Sequence, residues 1–247
     1  MKPIIDAHII CWNESRLIRH TLKHYSSFCR NITLFDNNST DDTVKIVKRE
    51  FPAVKVVTFS SEDTLNESAL LNVKNNCWKD SMADYVIVCD TDEFLFAENM
   101  EEKLMELKNK KVTIPVITGY NMQSETFPDN YDIPIFEQVR TGARERSFDK
   151  QIIFNPNRLI EINYDPGCHG CSPVYKEDAL LDEVVQFNLL HYKYLSREYL
   201  YKRHAAYVER MSDFNKEKGF AIEYHLGKEH VDKCFEQLYK HVYNVLA

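Results

Sequence analysis

The amino-acid sequence predicts an α/β chain: a mainly parallel sheet with helices on both faces, plus a C-terminal helical appendage. Three observations carry this. Short apolar runs alternate with segments of helical period through residues 4–116. Turn-forming polar clusters fall directly after the apolar runs, where an open α/β sheet holds its ligand. From Ser196 onward the pattern is helical.

Taken in order, Ile4 to Cys11 is apolar enough for a buried strand. A helix over Arg16 to Tyr25 follows, with Ser15 as its expected N-cap. Ile32 to Phe35 is a second strand, and a helix from about Asp41 leads to Phe51-Pro52. Val54 to Phe59 is a third strand, and Asn66 to Ser81 a helix burying Leu70, Leu71, Val73 and Trp78. Tyr85 to Cys89 is an apolar fourth strand, expected at the centre of the sheet. Glu98 to Lys110 is an amphipathic helix, and Val112 to Val116 a fifth strand. Beyond it, residues 119–150 have loop character. Gln151 to Phe154 and Val184 to His191 read as strands, and Arg197 to Phe214 and Val231 to Leu246 as helices.

Composition narrows the function. The chain of 247 residues carries a formal charge of -7, so a nucleic-acid partner, which needs a basic face, is disfavoured. Only 6 glycines occur and no Gly-rich phosphate loop is present. The 7 cysteines are scattered and odd in number, which suits a reducing compartment rather than a disulfide scaffold. No apolar run reaches the roughly 18 residues of a spanning helix, and the cytoplasm is the expected location. The Tyr-, Lys- and His-rich face from Tyr199 to Tyr207 and Tyr239 to Tyr243 reads first as ordinary packing, with peripheral membrane contact left open.

Three carboxylates stand together in Asp90-Thr91-Asp92-Glu93, after the fourth strand. Like charges this close need a cation or strong donors. A hard divalent cation that bridges to phosphates answers that need, while a solvated acidic turn is the plain alternative. Asn13-Glu14 and the Asp36-to-Asp42 run occupy two further strand ends, as ligand contacts or as turn chemistry. The Cys168-His169-Gly170-Cys171 string lacks the second ligand pair of a zinc site.

Together these strings resemble family-2-type glycosyltransferases of the GT-A fold. Cys11-Trp12-Asn13-Glu14-Ser15 resembles their first-strand signature, and Phe35 to Thr43 their second. Lys74-Asn75 is similar to their Arg-Asn pair, and Asp90-Thr91-Asp92-Glu93-Phe94 to their metal-binding DxD motif. The likeness is strongest over residues 3–96. It continues more weakly through Asp149 to Pro156, His169-Gly170 and His191-Tyr192-Lys193, as in the subgroup whose motif continues as Asp-Glu-Phe.

The resemblance implies a GT-A-like catalytic domain over 1–195, with a nucleotide-sugar half (1–96) and an acceptor half (97–195), then a helical segment over 196–247. It implies transfer of a sugar from a nucleotide-diphospho-sugar, UDP first and GDP second, to a hydroxyl on a glycan, lipid-linked or protein-linked acceptor. Inversion and a dependence on Mn²⁺ or Mg²⁺ are implied with it. Asn13, Glu14, Asp36, Lys74, Asn75, Asp90 and Lys150 would bind the nucleotide-sugar, and Asp90, Asp92 and His191 the metal. The general base is unassigned, with Glu125 and Asp149 as candidates; Glu177-Asp178 stands where many relatives have a Glu-Asp motif. The alternatives are a non-catalytic nucleotide-sugar-binding module and a sugar nucleotidyltransferase. A Gly-rich basic loop would favour the second, but the first strand is followed by Trp12-Asn13-Glu14-Ser15. A DxD-type phosphatase would carry its motif after the first strand and a small residue where Phe94 stands.

Overall fold

A computed structural model describes all residues except 63, 178, 180–183 and 247. The first half builds one sheet. Strands β1 (Ile5–Cys11), β2 (Asn31–Asp36), β3 (Lys55–Thr58) and β4 (Tyr85–Asp90) are separated by helices α1 (Ile18–Ser26), α2 (Thr43–Glu50) and α3 (Glu67–Asn76). They lie in the order β3-β2-β1-β4, all parallel, with the two-residue β8 (Ile153–Phe154) antiparallel on β4. Every residue of β1 and all but the last of β4 are buried, as both faces of a helix-covered parallel sheet require. Strand β4 is interior, although β1 takes the middle place. The order reverses between β1 and β4, which opens a crevice beyond their carboxyl ends.

The second half builds another sheet, in the order β12-β7-β6-β11-β5. Its strands are β5 (Glu93–Phe96), β6 (Val116–Gln123), β7 (Thr141–Arg144), β11 (Gln186–Tyr194) and β12 (Tyr243–Asn244). Only β6 and β11 run parallel; the other pairs are antiparallel. Helix α4 (Met100–Asn109) and the short α5 (Ile135–Gln138) link them, and β9 (Leu159–Glu161) with β10 (Val174–Tyr175) forms a separate hairpin. Helices α6 (Arg197–Glu209), α7 (Asp213–Lys218) and α8 (Gly227–Tyr239) close the chain. The α/β class and the C-terminal helices are as expected.

Several local expectations are corrected. Residues 112–115 are not a strand; Pro115 has no N–H for a ladder, and Val116 opens β6 in the second sheet. The 119–150 segment holds β6, α5 and β7 rather than loop alone. Ser15 does not cap α1: its N–H donates to Asp41, the helix opens at Ile18, and the Glu14 carbonyl accepts from Leu17 and Ile18. Asn66 does cap α3, accepting from the Ala69 N–H at 3.2 Å, and that helix ends at Asn76. The expected helix to Phe214 breaks after Glu209, where Ser212 caps α7; the last helix stops at Tyr239, ahead of β12.

The link between the sheets is Thr91-Asp92, between the end of β4 and the start of β5. Thr91 Oγ1 donates to the Ile10 carbonyl at 3.0 Å, and its carbonyl accepts from Thr21 at 2.6 Å. The Asp92 carbonyl accepts from the Tyr192 N–H on β11 at 2.8 Å. On the open edge of β5, Tyr25 donates to the Glu93 carbonyl (2.7 Å) and accepts from the Leu95 N–H (3.1 Å), while His24 meets the Leu95 carbonyl at 2.9 Å. Helix α1 thus supplies the partners an edge strand lacks and pins the acidic corner.

Candidate active site

A cavity of about 590 Å³ opens at this corner, lined by Glu14, Lys74, Asp90 to Glu93, Lys150 and His191, with walls from α6 and the segment after α7. A wider groove along α4 is lined by Glu and Lys side chains such as Glu106 and Lys110 that pair with one another; it gathers no convergent donor set.

Each carboxylate of the run meets a cation. Lys74, from α3, reaches Asp90 at 2.8 Å, and Lys150 reaches Glu93 at 2.7 Å. Burial opposes the charge on Lys74, but Asp90 outweighs it and holds the lysine pKa well above its usual value. Burial would likewise raise Glu93; Lys150 and Lys74 hold it below the usual carboxylate value. Lys150 is set in place from Phe148, whose turn packs so closely on β6 that a Cβ at Gly119 would lie 2.4 Å from the Phe148 carbonyl carbon.

Arg203 of α6 bridges the remaining two acids. Its Nη1 lies 2.6 Å from Asp92 Oδ2 and its Nη2 2.9 Å from Glu14 Oε1. Tyr199 adds a hydrogen bond to Glu14 Oε2 at 3.0 Å. One guanidinium thus serves two carboxylates, and the group is one positive charge short. Asp92 stays ionised: burial would raise its pKa, but the Arg203 guanidinium outweighs this and holds it well below the usual range. Glu14 takes the consequence, pushed up to about 7 by burial against the pull of Arg203.

His191 faces the same oxygen, its Nε2 3.3 Å from Asp92 Oδ2. Its Nδ1 lies 2.7 Å from Asn121 Oδ1, an oxygen that can only accept, so Nδ1 carries the proton. Burial lowers the imidazole pKa and favours the neutral form. The Nε2 lone pair therefore points at a carboxylate oxygen, and two acceptors converge with a charge deficit beside them. Asp92 and His191 fit a divalent cation on that ground. No third His, Cys, Asp or Glu completes a cage among the described residues, so the other ligands would come from a bound diphosphate.

The other expected residues separate. Asn13 stands at φ 52° and holds the second signature loop: its Oδ1 accepts from the Thr40 and Asp41 N–H groups at 2.7 and 3.2 Å. Asp36 is buried and accepts from the Ser39 N–H. Asn75 accepts from the Tyr164 N–H at 2.9 Å. None of the three lines the cavity, whereas Asn37, beside Asp36, does. Glu125 is exposed and lies 3.9 Å from Arg197, and Asp149 pairs with Arg144 at 2.6 Å; neither lines the cavity. Glu177 is exposed, and Asp178 lies outside the described residues. His169 lines the cavity with Nδ1 on the Ser147 carbonyl. Burial raises the Cys168 and Cys171 thiols to about 11.

Three cavity residues had no role from sequence. Arg203 is one. Lys193 has no carboxylate within 4.0 Å among the described residues, and burial lowers its pKa, the condition of a cation that lacks its anion. Glu145 is half-buried and has no cation partner among the described residues; it accepts from the Ser147 N–H at 3.1 Å and lies 3.5 Å from Asn121 Nδ2. A carboxylate at a cavity wall, one amide away from His191, was the only signal available for it.

The α/β scaffold carries its acidic corner at the switch point of the first sheet. Residues 6–178, most of the chain, match the model of Glycosyl transferase family 2, and the chain belongs to that family. The SPbeta prophage-derived glycosyltransferase SunS of Bacillus subtilis is 30% identical over 97 residues, covering 39% of this chain and 22% of that protein. The match thus spans about a fifth of the relative's length. Among solved structures, S. aureus TarS 1–349 aligns over 94% of this chain and 69% of its own at 12% identity and TM-score 0.46. The mannosyltransferase PcManGT from Pyrobaculum calidifontis, in complex with GDP-Man and Mn2+, aligns over 53% and 38% at 17% identity and TM-score 0.36.

Proposed function

We propose that the chain transfers a sugar from a nucleotide-diphospho-sugar, UDP before GDP, to an acceptor hydroxyl, with inversion and with Mn²⁺ or Mg²⁺ as cofactor. The observation that carries this is the convergence of Asp92 Oδ2 and His191 Nε2 in a cavity at the carboxyl ends of β1 and β4. Family membership supports it. We read 1–195 as the catalytic body, with donor and acceptor halves at 1–96 and 97–195, and 196–247 as the helical segment that roofs the site.

Asp92 and His191 hold the cation, with Asp90 turned to it or to the ribose, and a bound cation supplies Lewis-acid stabilisation of the leaving diphosphate. Asp36 and Asn37 border the nucleobase end, which Asn13 shapes by fixing the loop. Lys193 meets the diphosphate. Lys74 and Lys150, which line the cavity, hold Asp90 and Glu93 in place and face the donor. Glu145 accepts the proton of the attacking hydroxyl, in the role left open by Glu125 and Asp149.

A melting panel of UDP, GDP, CMP and dTDP with and without Mn²⁺ tests the donor reading, since a ligand of the native state raises Tm by mass action. The expected result is a shift for one nucleotide that depends on Mn²⁺. No shift with any of them sinks the nucleotide-sugar reading. A product assay on the same donor then separates turnover from a module that only binds.

A further inference from the structure

We propose that Arg203 is a resident counterion that a divalent cation must displace from Asp92, so that metal and diphosphate bind cooperatively and metal alone binds weakly. The inference rests on the metal reading above and adds a competitor to it. Asp92 Oδ2 is the oxygen that faces His191 Nε2, and Arg203 Nη1 already stands 2.6 Å from it. A cation on that oxygen at about 2.1 Å would sit against the guanidinium, and the two positive charges would repel in a poorly screened corner. Oδ2 has lone pairs for both, but that repulsion disfavours holding the two cations on one oxygen.

Arg203 is placed to leave. Its side chain is 16% exposed, unlike the 6% of Asp92, and it borders the open cavity. Its Nε is buried with no protein partner, so the present position leaves a donor unused. Nη2 can keep Glu14 while Nη1 swings into the cavity. Charge then decides the order of events. With Glu14 ionised, two carboxylates and one guanidinium carry a net -1, and with Glu14 protonated they carry none; adding a divalent cation makes the group positive in either case, and the diphosphate restores the balance while offering Arg203 new oxygen acceptors. Metal without diphosphate evicts the arginine with nothing to receive it.

The test is a Mn²⁺ titration of the full chain without nucleotide, read by calorimetry and by the spin-resonance signal of free Mn²⁺. Arg203→Ala is expected to bind Mn²⁺ at least about tenfold tighter than wild type, the scale of one charged hydrogen bond no longer broken. Lys193→Met removes a positive charge from the same cavity without touching Asp92, and should change Mn²⁺ affinity far less. Equal tightening by both variants overturns the proposal, because general charge would explain it. Unchanged or weaker binding by Arg203→Ala, with wild type binding Mn²⁺, overturns it and leaves the metal reading standing. No Mn²⁺ binding by any protein, with UDP or without, removes both. If Arg203→Ala does not fold by circular dichroism, Arg203→Lys serves: a shorter side chain without the planar fork weakens the hold on Asp92, so a smaller tightening is expected, and affinity equal to wild type overturns the proposal.

Discussion

Tyr25→Phe removes one oxygen from the core and tests how the acidic corner is held. The hydroxyl donates to the Glu93 carbonyl and accepts from the Leu95 N–H, on the edge of β5 that no strand covers. Tyr25 is fully buried, so water does not replace it. Each backbone group left unsatisfied costs about 1–3 kcal/mol, and with some relaxation the pair sums to about 2–4 kcal/mol. For a chain of this size that corresponds to a fall in Tm of roughly 5–15 °C. Urea unfolding should show a lower midpoint with an unchanged slope. Because Asp92 directly precedes Glu93, where the loosened segment begins, Mn²⁺-dependent nucleotide binding should weaken as well. Tyr85→Phe is the control. That hydroxyl reaches the Leu107 and Val112 carbonyls at 3.0 and 2.9 Å, at the other end of β4, and its loss should cost stability without changing binding. A Tyr25→Phe protein within about 0.5 kcal/mol of wild type would refute the edge-satisfaction argument.

Further outcomes are expected. Asp92→Asn should lower transfer at least about a hundredfold while circular dichroism stays native, since Asn keeps the shape and Arg203 keeps Glu14; full activity would sink the metal assignment. Glu145→Gln should lower kcat by about 10²-fold or more and leave the nucleotide-induced melting shift intact, and an unchanged kcat rules it out as the base. Burial lowers His8 and His24 from 6.5 to about 4. Between those values the unfolded imidazoles bind protons that the folded ones do not. Stability therefore rises with pH across that window and is lost on acidification to about 4, by about 3 kcal/mol per histidine. His8→Leu should remove its share of that slope in urea midpoints taken at pH 4.5 and 7, and an unaltered slope contradicts the neutral-histidine account.

The first sheet was legible because local pattern and tertiary role coincide there. Strands β1 and β4 are short apolar runs ended by polar turn residues, and burial on both faces writes itself into consecutive residues. The second sheet was not. Strand β6, Val-Ile-Thr-Gly-Tyr-Asn-Met-Gln, mixes glycine, amides and apolar residues because its pairing with β11, some 70 residues on, sets its burial.

The site divides the same way. Asp90, Asp92 and Glu93 announced themselves as acids at a strand end, and their joint need for positive charge followed from Coulomb's law alone. What meets that need came from elsewhere. Arg203 lies 111 residues from Asp92, on a helix where nothing local distinguishes it from its neighbours. Glu125 and Asp149 were singled out in the sequence and Glu145 was not, yet the first is exposed and the second is paired with Arg144. The sequence by itself determined where negative charge collects, because strand ends and turns are local. Only the tertiary structure decided which cations answer it and which carboxylate is left free, because those pairings depend on how distant segments pack.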